Sequence, residues 1–323
     1  MQMLRKSLVA MAFFSFLLLA QPSQAETSED FNDLDLFFYG DLDNGNGNIS
    51  TMQPTSDVDT QSDCPQEANR LSWPGQDRQW TSVGSWVVDL ETPGSVASGE
   101  HMFTIWANST QGTVEDVQFR ISVTIGGGTA DGQATSQSKT ITDSSEEATK
   151  FEISFDLTNE SFNQNDQLEV EIEYSGGDPG QNPVTGGQST EQIVILTSSI
   201  EHPAGIAEVN FNHFLADFPI ISIEDSAERV AVSVMVWSAF GTSDIDSNEW
   251  TLGVVGVSSG NQGYTADFNM KSMQNGSYKA SFYWYYNDAQ AISDTYSFYI
   301  QAKDIQGNHW KVFSEQDLYL VIH

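Results

Sequence analysis

Hydrophobic residues recur at every second position through most of this chain, a period that admits β-strands and little else. VEDVQFRISVTI (114–125) places Val117, Phe119, Ile121, Val123 and Ile125 on one face. KFEISFDL (150–157) repeats the pattern with Phe151, Ile153, Phe155 and Leu157. QLEVEIEY (167–174) sets Leu168, Val170, Ile172 and Tyr174 against Glu169, Glu171 and Glu173, so one face of that strand is expected to meet water. Loops rich in Gly, Ser and Asn, GGGTADGQATSQS (126–138) and SGGDPGQNPVTGGQS (175–189), separate the alternating runs. No convincing 3.6-residue pattern interrupts them. The predicted fold class is all-β, with strands packed as sandwiches.

Two β-sandwich domains are expected. Residues 26–200 hold roughly eight alternating segments, beginning with Leu34, Leu36 and Phe38, and read as a jelly-roll-like sandwich. Pro203 and Gly205 then break the pattern after Glu201-His202. A fresh series follows through ERVAVSVMVW (228–237), WTLGVVGV (250–257) and SYKASFYWYY (277–286). It closes with DTYSFYIQAKDIQGNHWKV (294–312), a strand, a Gly-Asn turn and a return strand. Residues 201–323 thus read as an Ig-like sandwich, which uses about seven strands in roughly 100 residues.

Residues 1–25 read as a secretory signal peptide. Arg5 and Lys6 precede the apolar run LVAMAFFSFLLLA, and Ser23-Gln24-Ala25 offers small residues at the two positions a signal peptidase inspects. The run is too short for the roughly 20 residues that span a bilayer. No membrane span is expected in the mature chain, and the predicted location is secreted or at the cell surface. Cys64 is the sole cysteine, which excludes an intrachain disulfide and a thiolate metal cluster. With 45 acidic against 12 basic residues the formal charge is −33, a surface that repels nucleic acid. Such charge favours solubility or cation binding. At 39% hydrophobic, the chain still has apolar material for cores.

DTYSFYIQAKDIQGNHW resembles the last hairpin of PKD-like and other Ig-like domains of archaeal and bacterial surface proteins. Asp294 and Tyr296 fall at the strand entry, and Asp304, Gly307 and Asn308 in the turn. Residues 31–199 resemble galactose-binding-like jelly-roll modules and the C-terminal β-domain of some secreted peptidases. That likeness rests on LDLFFYGD, SGEHMFTIWANS and FEISFDL with DQLEVEIEY. The first resemblance implies a fold with many uses. The second implies a module of the kind often attached to a catalytic domain.

Motifs for catalysis are sparse. Gly256-Val257-Ser258-Ser259-Gly260 fits G-x-S-x-G, but a nucleophile elbow needs a helix after the turn, and NQGYTADF follows instead. A Gly/Ser hairpin is expected there. His101, His202, His213, His309 and His323 lack the spacing of a zinc site. Calcium is the candidate cation, at Asp41, Asp43 and Asn44 and at Asp244, Asp246 and Asn248, where hard oxygen ligands crowd together. Neither run is an EF-hand, and an Asx/Gly turn explains either as well. No cofactor is required.

Outward aromatic rings are the other candidates: Trp73, Trp80 and Trp86, and Tyr283 and Tyr285 joined by Tyr299 from a neighbouring strand. They would serve a polysaccharide or a cell-surface protein, or else pack against the neighbouring domain. N-x-S/T sites at Asn48, Asn108, Asn159 and Asn275 are no more than composition supplies. The expected function is non-catalytic: adhesion, surface assembly or carbohydrate binding. The alternative is a secreted hydrolase, or an accessory subunit of one, with its site in the jelly-roll loops and carboxylates that sequence cannot pair.

Overall fold

The computed structural model describes residues 32–39, 46–53, 70–72, 80–109, 113–142, 148–176, 192–196, 202–248, 250–260, 262–265, 268–272, 276–287 and 291–321. The described chain is almost wholly β. Two 3-10 turns, Asp225–Ala227 and Thr242–Asp244, are its only helical elements among the described residues.

One fourteen-stranded sheet takes up the first part of the chain. Its middle runs, strand by neighbouring strand, through Gly99–Ser109, Gly205–Asn212, Asn32–Tyr39, Asn46–Ser50, Thr81–Asp89, Gln167–Ser175 and Val114–Ile125. Thr149–Leu157 pairs with Gly99–Ser109. The alternation places Leu34, Leu36, Phe103, Phe119, Phe151 and Val170 in a single buried cluster. Phe119 and Phe151, from strands that do not pair, meet edge to face at 4.8 Å, so the sheet folds over its own core.

The second part has a four-stranded and a five-stranded sheet facing each other across one core. In Arg229–Ser238 every second residue is buried, giving Val230, Val232, Val234 and Val236 to the interior. Tyr278–Tyr285 adds Ala280, Phe282 and Trp284 from the same sheet. Opposite them, Asp294–Lys303 contributes Tyr296, Phe298, Ile300 and Ala302. Trp284 meets Tyr296 across the gap with ring centroids 4.9 Å apart. Each large side chain so buried contributes about 1.5–3 kcal/mol.

The predicted terminal hairpin is present. Asp294–Lys303 pairs antiparallel with His309–Phe313 in the register Ala302 to Trp310 and Lys303 to His309. Asp304 closes the turn by accepting the amides of Gln306 and Asn308, both at 2.9 Å. Gly307 supplies the left-handed backbone at φ 94°.

The sheet change does not fall where the Pro203 signal places it. Gly205–Asn212 follows Pro203 yet pairs with Asn32–Tyr39, Gly99–Ser109 and Gly94–Val96 of the first sheet. The chain leaves that sheet at His213, and Phe214–Glu224 opens the second part. Proline broke a loop here, and the alternation that follows it could not say which core it enters. Within the first sheet Gly205 admits no side chain, because a Cβ there would lie 1.9 Å from the Leu36 carbonyl oxygen. Gly205→Ala is therefore expected to destabilise the protein by about 2–3 kcal/mol, read from the urea midpoint. An unchanged midpoint would refute this close approach of backbones.

Candidate binding groove beside the sheet junction

Asn32–Tyr39 carries two kinds of residue. Leu34, Leu36 and Phe38 enter the core, which leaves Asp33 and Asp35 on the opposite face. Its pairing with Gly205–Asn212 slips between Leu34, opposite Val209, and Leu36, opposite Ile206. Ala207 and Glu208 together face Asp35, a β-bulge. Glu208 takes up the extra length in the left-handed region at φ 60°, which costs an L-residue about 1–3 kcal/mol. Asp35 Oδ1 accepts the Glu208 amide at 3.1 Å and holds the bulge.

The terminal hairpin turn docks on this spot. Gln306 accepts the Asp35 amide with Oε1 at 2.8 Å. Its Nε2 donates to the carbonyls of Asp35 at 2.6 Å and Thr51 at 2.8 Å. Asn308 Nδ2 donates to the Asp33 carbonyl at 2.7 Å. The two side chains satisfy backbone groups of Asp33, Asp35 and Thr51 that lie beyond the pairing of Asn32–Tyr39 with Asn46–Ser50, which stops at Phe37.

A polar cleft of about 520 Å³ opens beside these contacts, lined by Asp33, Asp35, Gln53, Glu208, Gln306 and Asn308 among others. A second hollow of about 190 Å³ shares Asp35 and Ala207 with it and reaches Trp106, Lys150 and Thr104. Together they cross the outer face of three adjacent strands, acidic at one end and aromatic at the other. Trp106 is half-buried, with the His202 ring against it at 4.9 Å. Its Nε1 is buried without a hydrogen-bond partner among the described residues. Such a groove offers carboxylates and amides to hydroxyl groups, and an indole to an apolar ring face.

Most residues singled out in the sequence lie elsewhere. Trp86 belongs to the core, stacked on Phe38 at 5.5 Å, because its strand turns that residue inward. Trp80 is half-buried under the Arg120 guanidinium at 4.6 Å, and Arg120 pairs with Glu173. Tyr283 and Tyr285 do face outward, but Arg229 lies 4.0 Å over the Tyr283 ring and donates to the Tyr285 hydroxyl. Tyr299 does not join them. It sits on the other sheet, buried over Gly253 and against Phe313 and Lys311. Trp73, Asp41, Asp43 and Asn44 lie outside the described residues.

Asp244, Asp246 and Asn248 do not converge. Asp246 accepts the Asn248 amide and side chain, both at 3.0 Å, an Asx turn. Asp244 points into the protein and bonds His213 Nε2 at 2.7 Å and Ser238 Oγ at 2.5 Å. Burial pushes its carboxyl up, but His213, with help from Ser238 and Thr51, outweighs that and holds it below the ordinary range.

The G-x-S-x-G segment is a turn, as its neighbours require. Gly256 ends a strand, and the Asp294 carboxylate accepts Ser259 N at 2.9 Å, Ser259 Oγ at 2.7 Å and Ser258 N at 3.3 Å. The Ser259 hydroxyl leads the groups that lower the Asp294 pKa to about 2.

No protein-family model matches the sequence, and no curated protein does. Among solved structures it is similar in part to an alpha-amino acid ester hydrolase, with a TM-score of 0.36 and 13% identity over 55% of this chain. An aminopeptidase from the marine sediment archaeon Thaumarchaeota archaeon gives 0.36 and 10% over 55%. A CocE/NonD family hydrolase from Staphylococcus aureus gives 0.36 and 10% over 56%. The chain spans 36% of the length of the first two and 37% of the third.

Two outcomes check this geometry. Gln306→Ala strands the Asp35 backbone groups and is expected to cost about 2 kcal/mol in chemical denaturation; a neutral substitution would show that the turn does not hold the strand. The Asp294 pKa is lower folded than unfolded, so its contribution is complete above about pH 4 and disappears as pH falls toward about 2. The melting-temperature advantage of wild type over Asp294→Asn should shrink across that interval. A constant difference would contradict the assignment.

Proposed function

We propose that this is an exported, non-catalytic β-sandwich protein, jelly-roll-like in its first part and Ig-like in its second, that binds a polysaccharide in the junction groove. One observation carries the reading: Trp106 lines a hollow that shares Asp35 and Ala207 with a cleft of carboxylates and amides. A pyranose offers the match, with an apolar face for the indole and hydroxyls for Asp35, Glu208 and Asn308. The left-handed Glu208 supports it, since strain of that kind gathers at ligand sites. For the second part, two facing antiparallel sheets and the Tyr296 hydroxyl bonded back to the Ile292 carbonyl favour the Ig-like, PKD-like reading. Among the described residues no helix is long and apolar enough to cross a membrane.

A second reading, a hydrolase or an accessory subunit of one, is favoured by Asp33, Asp35 and Glu208 lining one cleft. Paired carboxylates are the machinery of glycoside hydrolysis.

A glycan array on the mature chain, run with and without calcium, separates these. Binding is expected to weaken about tenfold in Trp106→Ala, equivalent to about 1.4 kcal/mol. Binding that survives Trp106→Ala and Asp35→Asn unchanged would place the ligand elsewhere. Release of reducing ends by wild type, abolished in Asp35→Asn, would select the hydrolase. Calcium-dependent binding would support the cation expected from the sequence at Asp41, Asp43 and Asn44, which lie outside the described residues.

A further inference from the structure

Beneath the docking turn lies a cluster that the groove does not use. His213, Asp244 and Asp304 each offer a ligand atom, and these atoms all lie within 4.8 Å of one another. The residues are 1%, 1% and 3% exposed. They come from three separate places: the link between strands 205–212 and 214–224, the turn at 242–244, and the end of Asp294–Lys303. We propose that they form a closed structural site for a divalent transition ion of the zinc class.

Charge is the first argument. Two carboxylates are buried together, and among the described residues the one ion pair they make is His213 with Asp244. Asp304 adds a second buried carboxylate beside that pair, held by hydrogen bonds but facing no cation among the described residues. The surroundings are aromatic, with Trp310 at 4.3 Å and Phe240 at 5.1 Å from the imidazole. Such charge is kept in an interior only when it is paired or holds a metal.

Satisfaction of polar atoms is the second argument. Asp244 Oδ1 is buried with no hydrogen-bond partner of good geometry, although Thr51 is near enough to influence the carboxyl. An orphaned carboxylate oxygen of this kind calls for a bound group. The two carboxylates are held firmly by contrast. Ser238 orients Asp244, and the amides of Gln306 and Asn308 with Asn308 Nδ2 fix Asp304. Metal sites are built this way, ligands oriented by a surrounding layer of hydrogen bonds.

One imidazole with two carboxylates suits zinc better than calcium, which takes 6–8 oxygens. The ion would take the place of the proton on His213 Nε2, which leaves to solvent, and spread the 2.7 Å contact to Asp244. Thr51 or a water would complete four-coordination.

The test begins with unaltered mature protein, expressed with zinc and passed through gel filtration. Elemental analysis should find about one zinc per chain. Chelation should lower the melting temperature, and zinc but not calcium should restore it. Cobalt substitution should give visible bands of a four-coordinate site. Asp304→Asn and His213→Gln, checked for folding by circular dichroism, should lose the ion. Metal-free protein whose melting temperature ignores added zinc would overturn the proposal, leaving a buried His–Asp pair. Calcium in place of zinc, or zinc retained by a folded His213→Gln variant, would overturn it equally.

Discussion

The Asp304 carboxylate fixes the turn on which the two parts of the described chain meet. It accepts two backbone amides and the Asn308 side chain, so four residues of turn are held by one buried group. Gln306 and Asn308 are thereby presented in a single arrangement toward Asn32–Tyr39. The Gln306 amide both donates to and accepts from the backbone of Asp35. A primary amide has the same donor and acceptor as a peptide, so it stands in for a strand partner where the pairing with Asn46–Ser50 stops at Phe37. Turn and bulge meet at Asp35, whose backbone bonds Gln306 and whose carboxylate accepts the Glu208 amide.

What the sequence reveals of this arrangement follows from the range of each signal. Alternation is local, and it correctly places Phe119, Val170 and Phe282 inside without knowledge of the fold. The hairpin at 294–312 is legible for the same reason, strand and turn being neighbours in the chain. Trp86 and Tyr299 show the limit. Alternation says that two faces exist, and only the packed structure says which is covered and by what. Tyr299 is on the outer face of its strand, yet Lys311, Phe313 and a missing side chain at Gly253 bury it.

The groove and the buried cluster lie beyond reach of any spacing rule. Asp35 and Gln306 are separated by 271 residues, and His213 and Asp244 by 31. Asp33 and Asp35 could have been singled out, since LDLFF sends them to the face opposite Leu34 and Leu36. Their meeting with Glu208 depends on strand 205–212 joining the first sheet, which the Pro203 signal argues against. Among acidic residues this numerous, composition alone gives no reason to choose these. Asp244 drew attention for its neighbours in the chain, and its partners proved to be distant ones.

Glu208 is the residue whose presence local physics explains least. A left-handed bulge position is cheapest for glycine, and Asn or Asp tolerate it better than glutamate. The Asp35 carboxylate helps by accepting the Glu208 amide, but it would do the same for a glycine there. The bulge therefore accounts for the backbone and leaves the side chain over. That side chain is exposed and lines the cleft shared with Asp33, Asn308 and Gln306. Glu228, after Asp225–Ala227, holds the same backbone region away from the groove, so what sets Glu208 apart is the side chain, which borders the open space of the cleft.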